Sequence, residues 1–331
     1  FGEVVVHDDG TATIYAGTAA HGQGHQTAYA MLVSEQTGIL VDDISLVDGD
    51  TDRVHRGGGT GGSRSLQLGG SAVHRATETL VARARSLAAR LLEADEADIT
   101  VDTAGGTVGV AGVPALALTW AELASRSTET TGEMLAGDAV FEQEGATFPF
   151  GAHISVAEVD VETGRSTLVR HVAVDDCGSV LNPLLVQGQQ HGGIGSGIGQ
   201  ALFEEVRFDE DGNPITSNFA DYGIPTAADM PSFEVHSTET PSPLNPLGAK
   251  GIGEAATIGS TPAIQNAVID AVSHLGVLHI DMPCTAERVW RAIESARHGH
   301  ADPWREPPTI FAELPKGSSL DAETEAAADG I

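Results

Sequence analysis

At 331 residues the chain is long enough to bury a large core, as one big domain or two intimate subdomains, and no apolar run approaches the length of a membrane span. Its 17 Lys and Arg against 47 Asp and Glu leave a formal charge of −30, which repels polyanions and argues against nucleic acid or anionic membrane as partners. Two cysteines, Cys177 and Cys284, are too few and too isolated for a disulfide framework or a zinc cluster, and they point to a reducing, cytoplasmic setting.

The first residues, EVVVHDDGTATIYAG, place β-branched runs on either side of Asp8-Asp9-Gly10 and predict a hairpin. HGQGHQT (21–27) is a glycine loop feeding a helix, with Ala28, Met31, Leu32 and Gln36 on one side. ISLVDGDTD (44–52) reads as a short strand, the glycine run 57–62 follows, and an Ala/Leu/Arg helix is expected from about Leu68 to Leu92. Residues 98–140 read as short strands alternating with turns, and AHISVAEVDVE and STLVRHVAVDD form a second hairpin about Thr163-Gly164. Asn182-Pro183 starts a helix, with Asn as the cap and Pro in the first turn. Further helices are expected near 262–274 and 285–297, and the acidic tail 301–331 is expected to be disordered or draped over a partner.

The 40 glycines concentrate in four stretches: 21–27, 56–71, 188–200 and 248–254. Runs of glycine cost backbone entropy and suit places where the chain bends sharply or approaches a ligand closely. Bare backbone N–H groups ahead of a helix also form a nest for phosphate-like anions. The first two stretches each lead into a predicted helix. Gln23, between Gly22 and Gly24, offers an amide that donates and accepts, and Thr60, Ser63 and Ser65 beside Gly62 add hydroxyls. That set suits a polar, phosphate-bearing cofactor with heterocyclic edges, although any single loop reads equally well as a surface turn. GGIGSGIG lies inside a predicted helix rather than at a strand-to-helix turn, and GGGTGGS lacks the P-loop lysine, so neither a dinucleotide fingerprint nor a Walker motif is present. The small residues of GGIGSGIG suit tight helix packing or contact with a cofactor instead. His21 and His25 are better read as loop hydrogen-bonding groups than as metal ligands, for want of a third ligand nearby.

In GAKGIGEAATIG, Glu254 is a lone acid among glycines and small apolar residues. It reads equally as a helix-start acid, pairing with Lys250 or accepting backbone N–H groups, and as a positioned general base. Desolvation favours the neutral form of a carboxylic acid, so a buried position would suit a base.

Taken together and in this order, these loops resemble the molybdenum-binding portion of the xanthine dehydrogenase/aldehyde oxidase family, with the carbon monoxide dehydrogenase large-subunit and nicotinate-dehydrogenase types most similar. The resemblance runs over roughly residues 1–297. It implies an α+β molybdenum-cofactor-binding fold of the xanthine oxidase type, in two intimate mixed α/β subdomains: residues 1–145 with the Gln23 and Ser63/Ser65 loops, and residues 146–300 with the Gln189 and Glu254 loops. By that resemblance GTAAHGQGHQT supplies Gln23 to a molybdopterin, and GGTGGSRSLQLGG supplies Ser63 and Ser65 to the pterin dinucleotide, expected in its cytosine form. VDDCGSVLNPLLVQGQQHGG supplies Gln189, and KGIGEA supplies Glu254 as the base, with Gly251 and Gly253 bringing backbone close to the molybdenum centre. No side chain ligates molybdenum directly, since the pterin holds it.

The implied activity is hydroxylation of an aldehyde, N-heterocycle or similar small molecule with water as oxygen source. Electrons would leave through iron–sulfur clusters and FAD on partner subunits, in a hetero-oligomer whose further partner carries the other molybdenum-cofactor half. A non-catalytic scaffold or assembly protein that keeps the fold without cofactor is the alternative.

Overall fold

The computed structural model describes residues 1–299; the predicted acidic tail lies outside the described residues. The elements in chain order begin with β1 (Gly2–Val6), β2 (Ala12–Ala16), α1 (His25–Thr37), β3 (Ile44–Val47), a π-helical turn (Ser65–Gly70) and α2 (Ser71–Leu92). They continue with β4 (Ile99–Asp102), β5 (Thr107–Val110), β6 (Ala117–Thr119), α3 (Trp120–Thr131) and β7 (Leu135–Ala139). The remainder is β8 (Phe150–Val159), β9 (Ser166–Asp176), α4 (Pro183–Leu202), the single turn α5 (Phe219–Tyr222), β10 (Phe233–Thr238), α6 (Ala255–Ser273) and α7 (Ala286–Arg297).

The predicted hairpin forms, with Val4 opposite Ile14, and it sits at the centre of a sheet ordered β3-β2-β1-β7 in which only β2 and β3 are parallel. Helix α2 lies on this sheet at very short range. A Cβ at Gly2 would fall 2.7 Å from the Val73 nitrogen, and one at Gly137 would overlap the Ala76 carbonyl. Glycine at these two positions is what lets the helix backbone settle onto the strands. Ile14, Tyr29, Leu80 and Leu123 are fully buried in the resulting core. A small antiparallel sheet, β4-β5-β6, abuts α2.

The second predicted hairpin also forms. β8 and β9 pair antiparallel with a bulge at Val156/Ala157, and β10 adds in parallel on the other side of β9. α4 and α6 pack on this sheet and on each other around Ile194, Ile198, Ile264 and Val268. The GGIGSGIG run lies within α4, as its small residues suggested. A Cβ at Gly193 would lie 2.8 Å from Ala256 Cβ, so the glycines bring the two helix backbones together. Asn182 caps α4 as predicted, its Oδ1 accepting from the N–H groups of Leu184 at 3.0 Å and Leu185 at 3.1 Å.

Several expectations are corrected. The segment 98–140 is not only strands and turns: α3 lies within it, started by a reciprocal capping box between Thr119 and Glu122. α6 begins at Ala255, well before the predicted 262, and carries Pro262 inside it. Proline has no N–H, so the Ile258 carbonyl loses its helical partner, and Ile258 and Pro262 both stand on the exposed side of α6. The buried stripe of α1 runs through Tyr29, Leu32 and Val33, rotated from the predicted one. The long helix starts at Ser71, after the π turn, in which Gly69 packs directly on Thr18 and the Tyr29 hydroxyl.

Candidate active site

All four glycine-rich stretches reach a single cleft of about 540 Å³ between the two packed halves of the fold. The first stretch contributes His21, Gly22, Gln23 and His25 to its wall; the second contributes Thr60, Gly61, Gly62, Ser63 and Ser65. The third contributes Gln189, and the fourth contributes Lys250, Ile252, Gly253 and Glu254. Cys177, Ser179 and Asn182, from the turn after β9, complete the polar lining.

Of the predicted site residues, Gly24 and Gly251 are absent from the wall because they serve contacts between the loops. Gly24, in the left-handed region at φ 85°, faces Leu185 of α4, and a Cβ at Gly251 would fall 2.8 Å from Ser63 Cβ. The other glycines behave differently. Gly22, at φ 98°, and Gly61 have no atom within 4 Å of where a Cβ would stand, so their backbone is bare toward the cleft.

Three helical segments begin beside this wall without a side-chain cap: α1 with His25, the π turn with Ser65 and α6 just after Glu254. Helix N-termini carry partial positive charge, which favours an anionic group nearby.

Glu254 does not pair with Lys250, and it does not cap α6. Ser63 Oγ donates to Glu254 Oε2 at 2.6 Å, joining loops 191 residues apart in sequence. Ser63 holds the uncommon φ of 53° for a non-glycine residue, and Gly253 lies against it. The expected burial of the acid is corrected: Glu254 is exposed, because the cleft is open on this side and the apolar residues that follow it turn into α6 rather than over the carboxylate. Gln189 is half-buried next to Gly253: a Cβ on Gly253 would lie 3.0 Å from Ser63 Oγ and 3.6 Å from Gln189 Oε1.

The remaining predicted donors are partly committed within the chain. Thr60 donates to the Ala19 carbonyl at 2.6 Å, so the 2.9 Å contact with Ser65 has the Ser65 hydroxyl as donor. Gln23 folds back on its own loop, accepting from the His21 N–H and donating to the Ala19 carbonyl. His25, read as a loop hydrogen-bonding residue, opens α1 instead, stacked on Tyr29, with Nδ1 3.4 Å from Thr18 Oγ1 and 3.9 Å from Asp48 Oδ2. Its Nε2 is buried with no partner, and burial holds its proton affinity below the usual histidine range.

Sequence reasoning weighed Lys250 only as a partner of Glu254 and missed its real one: it forms a buried ion pair with Asp176 at 3.1 Å and lies over the Phe150 ring at 4.8 Å. Its place between two glycines of a candidate loop was the available signal. Burial alone would raise the Asp176 carboxyl, but the Gly178 N–H, Thr240 and Lys250 outweigh it and hold it at about 2. Burial pushes the Cys177 thiol up to about 11, which makes it a small packed residue rather than a nucleophile.

A fold of mixed and antiparallel sheets packed with helices, whose glycine loops converge on one cleft, defines a cofactor-binding domain. The chain belongs to the molybdopterin cofactor-binding domain family, which matches residues 2–231, within the xanthine dehydrogenase class of proteins. It is 38% identical over 296 residues to the carbon monoxide dehydrogenase large chain of Afipia carboxidovorans, covering 88% of this chain and 36% of that one. It is 34% identical over 298 residues to the nicotine 6-hydroxylase large subunit of Paenarthrobacter nicotinovorans, covering 88% and 36%. The crystal structure of Cu,Mo-CO dehydrogenase in its carbon monoxide-reduced state superposes with a TM-score of 0.81 at 37% identity, over 89% of this chain and 37% of that one. The chain thus spans a little over a third of the length of these relatives. No described helix is long and apolar enough to cross a membrane.

Proposed function

We propose that this chain is the part of a molybdenum hydroxylase catalytic subunit that carries the base and one side of the cofactor cradle. It would oxidise an aldehyde, N-heterocycle or similar small molecule, with water as the oxygen source. The observation that carries this reading is the convergence of the glycine loops on one cleft, where Glu254 is bonded to Ser63 and Gln189 lines the same wall next to Gly253.

The cleft fits a pterin dinucleotide on its own chemistry. Bare backbone at Gly22 and Gly61 leaves room for close approach, and the uncapped helix starts supply N–H donors for phosphate oxygens. The Gln23 and Gln189 amides, with backbone N–H groups about Gly22 and Gly62, would donate to the pterin and its phosphates, while Thr60, Ser63 and Ser65, whose hydroxyl protons go to Ala19, Glu254 and Thr60, would accept from pterin N–H groups. His25 Nε2, buried and unpartnered at the wall, offers a further contact. Gly24, Gly251 and Gly253 act by letting the loops close on one another. The nucleotide of the cofactor is expected to be cytosine.

When bound, the molybdenum centre supplies the two-electron redox step. Glu254 takes a proton from water-derived oxygen. The Ser63 hydroxyl holds Oε2 and fixes the plane of the carboxylate, which leaves Oε1 to accept that proton. Gln189, on the same wall next to Gly253, would orient what binds in the cleft.

Electrons would pass to iron–sulfur and FAD centres on partner subunits. An iron–sulfur cluster needs several thiolates, and this chain has two cysteines, both buried. The rest of the cofactor pocket would come from the other molybdenum-cofactor half, so the working form is a hetero-oligomer. Free thiols suit a cytoplasmic location.

Co-purification with those partners, followed by metal and pterin analysis and identification of the nucleotide released by acid hydrolysis, tests the reading. Molybdenum and a cytosine nucleotide in stoichiometric amounts are expected. A pure complex without molybdenum, made under cofactor-sufficient expression, overturns it in favour of a scaffold.

A further inference from the structure

β9 ends in two consecutive acids, Asp175 and Asp176, which are 2% and 1% exposed. Consecutive strand residues project to opposite faces, so the two carboxylates serve different neighbours. Asp175 accepts from Gln190 Nε2 at 3.0 Å and lies 3.1 Å from His153 Nε2. Beyond it, His153 Nδ1 is 3.1 Å from His171 Nε2, and His171 Nδ1 is 2.8 Å from Ser155 Oγ. One proton arrangement satisfies every atom with both imidazoles neutral. Ser155 donates to His171 Nδ1, His171 Nε2–H to His153 Nδ1, and His153 Nε2–H to Asp175.

Gln190 follows Gln189 directly in α4, and its Nε2 also donates to the His236 carbonyl on β10 at 2.9 Å. That fork fixes how α4 is rotated on the sheet. Asp176 faces the other way and accepts from the Gly178 N–H at 2.9 Å, the Thr238 hydroxyl at 3.1 Å and Lys250 Nζ at 3.1 Å. Lys250 stands four residues before Glu254, and its own N–H donates to the Cys177 carbonyl at 2.7 Å. The two anchored elements meet at Gly253, between Ser63 and Gln189. A buried ion pair adds little stability over well-packed apolar residues, whereas its directionality can specify one geometry.

We propose that Asp175 and Asp176 are positioning residues of the cleft: Asp175 sets the helix bearing Gln189, Asp176 sets the loop bearing Glu254, and together they hold the two side chains in register. The inference rests on the reading of Glu254 and Gln189 as working groups. It has a readout independent of that reading, because the anchored backbone is measurable without cofactor.

The test uses the full chain with its partner subunits and the variants Asp176→Asn, Lys250→Met, the double variant and Gln190→Leu. The double variant removes the uncompensated charge left by either single change, so its melting temperature should recover toward wild type. Amide hydrogen exchange at residues 249 and 250 should nevertheless remain faster by about tenfold, and in Gln190→Leu the faster exchange should fall in α4 around residues 186–190. In the loaded enzyme kcat should fall by about tenfold or more with little change in KM, as expected when reacting groups lose their orientation. Wild-type exchange at both places in every variant overturns the proposal, as does full recovery of kcat together with stability in the double variant. If the wild-type complex carries no molybdopterin, the functional reading fails by itself and the exchange measurement alone decides the positioning role.

Discussion

The contact between α4 and α6 gives a sharp test of the fold, because two glycines on one helix should respond oppositely to the same added methyl. At Gly197 a Cβ would overlap Ser260 Oγ and lie 3.0 Å from both Ser260 Cβ and the Thr261 nitrogen. The neighbouring atoms include α6 backbone, so a rotamer change cannot make the room and the helices must separate. At Gly192, five residues earlier on the exposed face, a Cβ would meet nothing within 4 Å. Alanine in place of glycine in a helix interior contributes about 1 kcal/mol of stability at either site. Forcing a methyl into a packed contact costs about 1–3 kcal/mol, and backbone displacement puts Gly197 at the upper end. Gly192→Ala should therefore stabilise by up to about 1 kcal/mol and Gly197→Ala destabilise by about 2 kcal/mol. Urea unfolding of the chain, followed by circular dichroism at one pH, measures both. If the two variants shift in the same direction, or Gly197→Ala is neutral, α4 does not pack on α6 through this stripe.

Burial, and next the neighbouring His153, push His171 down from 6.5 to about 4. Between those values the unfolded chain takes up a proton that the folded chain refuses, so stability falls as pH drops below 6.5 and the loss is complete near 4. The loss should reach at most about 3 kcal/mol in denaturant titrations, and His171→Gln should flatten it. Asp176, held at about 2, contributes stability that is full above 3.8 and is lost only as pH falls through about 2, below the histidine window. Glu254→Gln should leave molybdopterin content unchanged while abolishing turnover; retained turnover removes Glu254 from the mechanism. Ser63→Ala deletes an exposed hydrogen bond, so the unfolding free energy should change by less than about 1 kcal/mol while kcat falls, which separates orientation from stability. Burial raises both Cys177 and Cys284 thiols to about 11, so a thiol reagent should label neither in the native chain at neutral pH and both after denaturation.

Much of the site was legible because its features are local. Glycine runs before helices, the Asn182 cap and the small-residue stripe of α4 are patterns within a few residues, and each keeps its meaning once folded. The helix α3 was equally local and was missed, since the Thr119/Glu122 pair that starts it was available to be read. Composition could not tell whether the Glu254 side chain caps α6, because the partner it takes instead, Ser63, lies 191 residues away.

The exposure of Glu254 shows the limit from the other side. Apolar neighbours along the chain suggested a desolvated acid, but those neighbours turn inward as α6 and leave the carboxylate facing an open cleft. The burial of Lys250 against Asp176 has the same origin, a pairing 74 residues apart in sequence that only the packing of β9 against the loop brings together. The sequence by itself determined which residue types and bare backbone segments are available for the chemistry, because propensity, capping and chain flexibility act over short range. Which of them face the cleft, which pair with one another and which are shielded from water was decided by the tertiary structure alone, since dielectric environment and close contact depend on what packing brings near in space.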